Sequence, residues 1–217
     1  MSNVKNFLLG LLDWVYKKKC YFCGSSKECS KMCSKCYEEL MMASIFNNRE
    51  ILGCNVYCSA NYEKYMQKLI RAIKYHNQRE LAFYQAKFMY QYWNKLEIEE
   101  DFQVVPVPLH QNRLKKRKYN HMVLVASEFC KLCGYELNTE LISRVKDTKP
   151  QYKLTRSQRM ENLKNAFEVN TKFLKNKPIL ILDDICTTGA TFEAMIEEFN
   201  DCGINNIICF ATASPTL

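Results

Sequence analysis

The sequence predicts an α/β protein: a parallel, doubly wound sheet flanked by helices, preceded by a small cysteine-rich module. Three observations carry this expectation. "ILILDDI", residues 179–185, is an unbroken apolar run that ends in two carboxylates, as expected for a strand buried on both faces. From Phe102 onward, strand-like runs alternate with helical periodicities, the order that builds a parallel sheet. Ahead of these, Cys20-x2-Cys23 and Cys33-x2-Cys36 repeat one spacing.

The chain of 217 residues suits one generous α/β domain or a domain plus a small module. Hydrophobic residues make up 47%, enough for a sizeable core and too many for a disordered chain. Lys plus Arg number 31 against 23 Asp plus Glu, a net charge of +8 that fits an anionic partner: phosphate, nucleotide or nucleic acid. The start, "MSNVKNFLLGLLDWVYKKKC", imitates an export signal. Its apolar run is short, Asp13 interrupts it and no small-residue cleavage site follows, so it is read as a short amphipathic helix. No stretch is long enough to span a membrane. The 12 cysteines are therefore expected to be reduced in a cytoplasmic protein, and the clustered ones become metal-ligand candidates.

Three regions follow in order: an N-terminal helix and metal module over 1–40, a helical region packing on the core over 41–100, and the α/β domain over 101–217. In the first, thiolates two residues apart close on one ion and a second such pair completes a tetrahedron. Cys20, Cys23, Cys33 and Cys36 are thus read as ligands of a structural Zn²⁺ with no open catalytic position. Reduced thiols or an iron–sulfur site are the alternatives, and Cys29, between the pairs, is a substitute ligand or a spare. Cys54, Cys58, Cys130, Cys133, Cys202 and Cys209 are read as core residues. In the second region Tyr62, Met66, Leu69, Ile70 and Ile73, then Leu81, Phe88 and Met89, recur at helical spacing. In the third, "FQVVPVPL" predicts a strand and "NHMVLVASEFCKLC" a helix ended by Gly134. "TFEAMIEEFNDC" predicts a helix ended by Gly203, and "NNIICFATAS" a last strand.

The chemistry concentrates at 183–191. Ligands of open α/β sheets sit beyond the carboxyl ends of the strands, where Asp183 and Asp184 lie. Thr187, Thr188, Gly189, Ala190 and Thr191 turn the chain into a helix whose first N–H groups, with threonine hydroxyls, favour a phosphate. Carboxylates would repel that phosphate, so they are expected to meet ribose hydroxyls and Mg²⁺. The stretch reads as a ribose-5-phosphate holder. No G-x4-G-K-[ST] and no G-x-G-x-x-G competes with it. Five of the six residues from Arg113 to Lys118 are basic. Arg113, Lys115, Lys116 and Arg117, with Asn120, are candidates to hold a pyrophosphate or a nucleic-acid backbone. A solvated charge run is the bland alternative. His110 and His121 flank this loop as packing or hydrogen-bonding groups. The long basic stretch after "LI" at 141–142, with Arg144, Lys146, Lys149, Arg156 and Arg159, reads as a flap over the site.

"ILILDDICTTGAT" resembles the phosphoribosyl-pyrophosphate (PRPP) loop of type I phosphoribosyltransferases. Together with the cysteine module, "KYH" at 74–76, "VPVPLHQNRLKKRKYNH" at 105–121 and "LISRVKDTKPQYKLTRSQRMENLKNAFEV" at 141–169, it is similar to the ComF family, the ComFC-type proteins of bacterial DNA uptake. The resemblance implies a type I phosphoribosyltransferase-like parallel sheet flanked by helices, with an N-terminal four-cysteine zinc module. It implies ribose and Mg²⁺ contacts at Asp183 and Asp184 and a 5-phosphate cradle at Thr187, Thr188, Gly189 and Thr191. Gln151 and Arg159 match flap positions. Where the family usually shows Gly-Phe-Asn-Gln, this chain has Lys118, Tyr119, Asn120 and His121. The implied role is in natural transformation, binding PRPP and handling incoming single-stranded DNA beside a helicase-like competence protein and recombination loaders. Its place would be the cytoplasm or the inner face of the membrane. A salvage enzyme that transfers the pentosyl group of PRPP to a nucleobase, or a PRPP-sensing regulator, remain alternatives.

Overall fold

A computed structural model describes residues 18–148 and 155–215, apart from the side chains of residues 46, 156, 157, 159 and 160. The expected N-terminal helix before Lys18, the flap residue Gln151 and the Arg159 side chain lie outside that description. The chain divides into two compact units, one up to Met42 and one from Ala43 onward. In the first, the four paired cysteines precede and enter helix α1 (Ser34–Met41).

The second unit is built on a six-stranded sheet. Its strands are β1 (Ser44–Ile51), β2 (Cys54–Asn61), β3 (Gln103–Pro106), β4 (Glu136–Leu137), β7 (Ile179–Ile185) and β8 (Ile207–Ser214), in the order β1-β2-β8-β7-β3-β4. Every pairing is parallel except the β1–β2 edge. Helices α2 (Lys64–Tyr75), α3 (Ala82–Trp93), α4 (Gln111–Arg117), α5 (His121–Cys133) and α7 (Ala190–Asp201) connect the strands. A separate antiparallel pair, β5 (Ile142–Arg144) and β6 (Phe167–Val169), flanks the segment that includes α6 (Arg156–Leu163). Among the described residues no helix is long and apolar enough to cross a membrane.

The alternation of β7 and β8 sorts two cores. Ile179, Ile181, Cys209 and Ala211 meet Phe192, Met195, Ile196 and Phe199 of α7. On the other side Trp93, Phe102, Phe129 and Phe210 form a mesh of ring contacts, with centroids 5.3–6.2 Å apart. β7 is buried throughout its first four residues, which explains its solid aliphatic run.

The region read as helical, 41–100, opens instead with the β1–β2 hairpin, and β2 lies parallel to β8 inside the sheet. Two causes hid it. β1 is an edge strand, so its sequence, SIFNNREI, is largely polar. Its turn is Leu52-Gly53, with φ of 50° and 79°, the geometry usually signalled by Asn-Gly. The helices begin only at Lys64. The basic stretch read as a loop is likewise helix α4, ended by Lys118 at φ 66°. Cys202, read as core, is exposed, whereas Cys54, Cys58, Cys130 and Cys209 are buried as expected.

Candidate functional site

β3 leads outward to β4 on one side, while β7 leads to β8 on the other. Such a reversal leaves a crevice beyond the carboxyl ends of the two strands. Pro106 pairs with Leu182, and the Val107 N–H donates to the Leu182 carbonyl at 2.9 Å. Past Pro106 and Leu182 the two strands cease to pair with each other, while β7 stays paired with β8 through Ile185. This end of β7 holds the acid pair, and the threonine turn follows it.

The two carboxylates part company. Asp184 is buried. His121 Nε2 lies 2.7 Å from its Oδ2, and the Lys74 ammonium pairs with the same oxygen. Burial alone would push its carboxyl up. The Lys74 charge and the His121 contact outweigh that and hold it well below the usual carboxylate range. Asp183 is half-buried, and among the described residues no cationic side chain pairs with it. Partial desolvation, then the neighbouring Asp184 charge, push its carboxyl well above the usual range. Among the described residues Asp183 therefore lacks the cationic and imidazole partners that Asp184 already has. The His121 imidazole is held below its ordinary value, first by burial. Among the described residues its buried Nδ1 has no hydrogen-bond partner, which favours the tautomer with the proton on Nε2, facing Asp184.

The turn that follows is held from beneath by β1. Arg49 donates from Nη1 and Nη2 to the Thr187 carbonyl, each at 3.2 Å, and Nη2 also contacts the Cys186 sulfur. The hydrogen bond from Cys58, opposed by burial and aided by the Arg49 guanidinium, brings the Cys186 thiol down to about 7. Gly189 caps α7 at φ 87°, and a Cβ there would overlap Ile51 Cδ1. The left-handed turn is what favours glycine, since the Ile51 side-chain end could swing away from a Cβ. Gly189→Ala is expected to cost about 1–2 kcal/mol through the left-handed backbone alone, read as a lowered Tm in thermal unfolding. Thr188 Oγ1 accepts from the Ala190 N–H at 3.4 Å, and Thr187 and Thr191 stand at the same helix start. The threonines, Gly189 and the start of α7 thus follow directly on the acid pair at the end of β7.

The other predicted residues are distributed differently. Asn120 is a clip: its Oδ1 caps α5 through the Met122 N–H, and its Nδ2 donates to the Val107 carbonyl, both at 3.0 Å. Arg113 donates to the Thr148 carbonyl at 2.7 Å, anchoring the base of the flap segment. Lys115 and Lys116 are exposed, and the Arg117 guanidinium lies 5.1 Å from the Tyr75 ring. Lys118 and His121 stand where the ComF pattern has glycine and glutamine. Lys118 adopts the left-handed backbone that glycine favours, and His121 holds Asp184. Sequence reasoning assigned no role to Lys74, Arg49 or Cys186. Lys74 alone had a signal, its place in "KYH".

In the first unit, Cys20, Cys23, Cys33 and Cys36 bring their sulfurs within 4.8 Å of one another. The Cys33 N–H points at Cys20 Sγ at 3.4 Å, and Cys23 and Cys33 sulfurs lie 3.7 Å apart. Burial opposes ionisation of Cys20, but backbone N–H groups from Cys23, Cys33 and Phe22 bring it down to about 6. Burial and the other thiols push Cys36 up. Four thiolates crowd together only around a cation, so the set fits a tetrahedral thiolate-bound metal.

No family model matches the chain. Competence protein F of Haemophilus influenzae is 25% identical over 197 residues, which cover 87% of this chain and 81% of that protein. The DNA utilization protein YhgH of Escherichia coli K12 is 32% identical over 88 residues, and the matched stretch spans 38% of its length. The Salmonella typhimurium protein of the same name is 27% identical over 136 residues, 60% of its length. Among solved structures, adenine phosphoribosyltransferases from Thermoanaerobacter pseudethanolicus and Saccharomyces cerevisiae align at TM-scores of 0.38 and 0.39, with 11% and 10% identity. They cover 82% and 85% of this chain, and 87% and 90% of their own. The sequence relationship, running along most of both chains at 25% identity, makes this protein a homologue of competence protein F of Haemophilus influenzae.

Proposed function

We propose that the protein acts in DNA uptake and utilisation, binding PRPP with Mg²⁺ at the β7–α7 crevice and handling single-stranded DNA. The observation that carries the ligand is the division of the acid pair. Asp184 Oδ2 is taken by Lys74 and His121, while Asp183, at the end of β7 shortly before the Thr187–Thr191 turn, has no cationic partner among the described residues. A sugar phosphate answers both needs. Its 5-phosphate takes the N–H groups at the start of α7, and its hydroxyls donate to Asp183, which would also hold Mg²⁺ beside the pyrophosphate. The DNA role is taken from the relatives named for competence and DNA utilization.

A second reading has one observation in its favour. A cavity of about 750 Å³ adjoins the end of β3, with Leu109, Leu114, Tyr119, Val123, Leu124 and Arg144 in its wall. Its apolar faces would suit a nucleobase acceptor, and the reaction would then be pentosyl transfer with pyrophosphate release.

Calorimetric titration of the wild-type protein with PRPP, in the presence and absence of Mg²⁺, tests the first reading. Saturable binding that needs Mg²⁺ supports it, with weaker binding of ribose-5-phosphate. Absence of binding by folded protein would remove PRPP as the ligand. Pyrophosphate release on adding individual nucleobases would establish the second reading.

A further inference from the structure

The two segments that supply Lys74 and His121 to Asp184 turn a second set of side chains outward. Tyr75 follows Lys74 at the end of α2 and is 59% exposed. The Arg117 guanidinium lies 5.1 Å from its ring centroid and that of Arg71 lies 5.9 Å away. Beside it, Arg79 stands 4.3 Å over the Tyr119 ring, and the Tyr119 hydroxyl donates to the Ile73 carbonyl, tying α2 to the end of α4. Three arginines and two tyrosines thus interlock into one surface, with exposed Lys115 and Lys116 on α4 continuing it.

This is a specific kind of basic surface. Lysines and arginines alone would suit any polyanion. Arginine planes alternating with tyrosine rings suit a polyanion that also carries flat π-faces, with phosphates on the guanidiniums and unstacked bases on the rings. A duplex hides those faces and a single strand offers them. We infer that the α2–α4 corner is a stacking platform for single-stranded nucleic acid, with Tyr75 as the base-stacking ring and Arg71, Arg79 and Arg117 as phosphate contacts. The inference rests on the nucleic-acid handling proposed above and assigns it a surface.

Fluorescence anisotropy with a labelled oligothymidylate tests it on wild type, Tyr75→Ala, Tyr75→Phe, a combined Arg71→Gln and Arg117→Gln variant, and a Phe83→Ala control on α3. Tyr75→Ala is expected to weaken binding about tenfold with an unchanged salt slope, and Tyr75→Phe to bind like wild type. The double arginine variant should flatten the logarithmic salt slope by about 0.7 per cation lost. Phe83→Ala should bind as wild type does. Wild-type binding matched by Tyr75→Ala would overturn the platform and leave DNA handling intact. A wild type that does not bind at all would overturn the DNA-handling reading and the platform with it. Photocrosslinking of a 5-bromodeoxyuridine oligonucleotide to wild type gives a mutation-free check. Adducts on the peptide carrying Tyr75 support the platform, and adducts only elsewhere refute it.

Discussion

Lys74→Met is expected to destabilise the protein by about 3–5 kcal/mol, because it leaves the Asp184 carboxylate buried with one partner fewer. In a domain of this size that lowers Tm by roughly 10 °C. Asp183→Asn should not lower Tm, because the fold already disfavours its charge. The pH dependence follows from the same contacts. Asp184 ionises more readily folded than unfolded, so its contribution is complete above the ordinary carboxylate value of about 4 and is lost as pH falls through its lower folded value. For Lys74, burial works against the charged form, but the Asp184 carboxylate raises the ammonium above its ordinary range. That contribution is complete below about pH 10.4 and is lost as pH rises through the folded value. The Tm advantage of wild type over Lys74→Met should therefore be largest between about pH 4 and pH 10 and shrink toward about pH 3 and pH 11. An unshifted Tm in Lys74→Met would mean that the ion pair contributes nothing.

Metal removal should have the other large effect. A thiolate-bound Zn²⁺ contributes apparent binding energies of about 10–16 kcal/mol in small modules, where binding and folding are one event. The purified protein is expected to carry one Zn²⁺ per chain, measured by elemental analysis. Chelation, or Cys36→Ser, should open residues 18–42 to proteolysis. The unit from Ala43 onward has its own buried core and should keep its cooperative unfolding. Protein free of zinc and iron, or a module equally protected after chelation, would contradict the assignment.

β7 and α5 were legible in the sequence because their burial is local and regular. Ile179–Ile185 is apolar until it reaches the acid pair, and Asn120 and Gly134 mark the two ends of α5. The β1–β2 hairpin was not, because an edge strand carries little apolar signal and Leu52 occupies a backbone state that Asn or Gly normally announces. The acid pair was legible as a pair. Its division was not, since the partners come from α2 and the start of α5, and only the fold brings Lys74 and His121 to one oxygen. Asn120 has a structural role that the sequence did not announce: it clips α5 to the segment after β3.

The central claim is that Asp184 organises the crevice while Asp183 meets the ligand. Calorimetric titration of Asp183→Asn with PRPP and Mg²⁺, beside wild type and at matched Tm, tests it most directly. The account predicts tight, Mg²⁺-dependent binding to wild type and at least a tenfold loss in the variant. Equal affinity of the two proteins would contradict it.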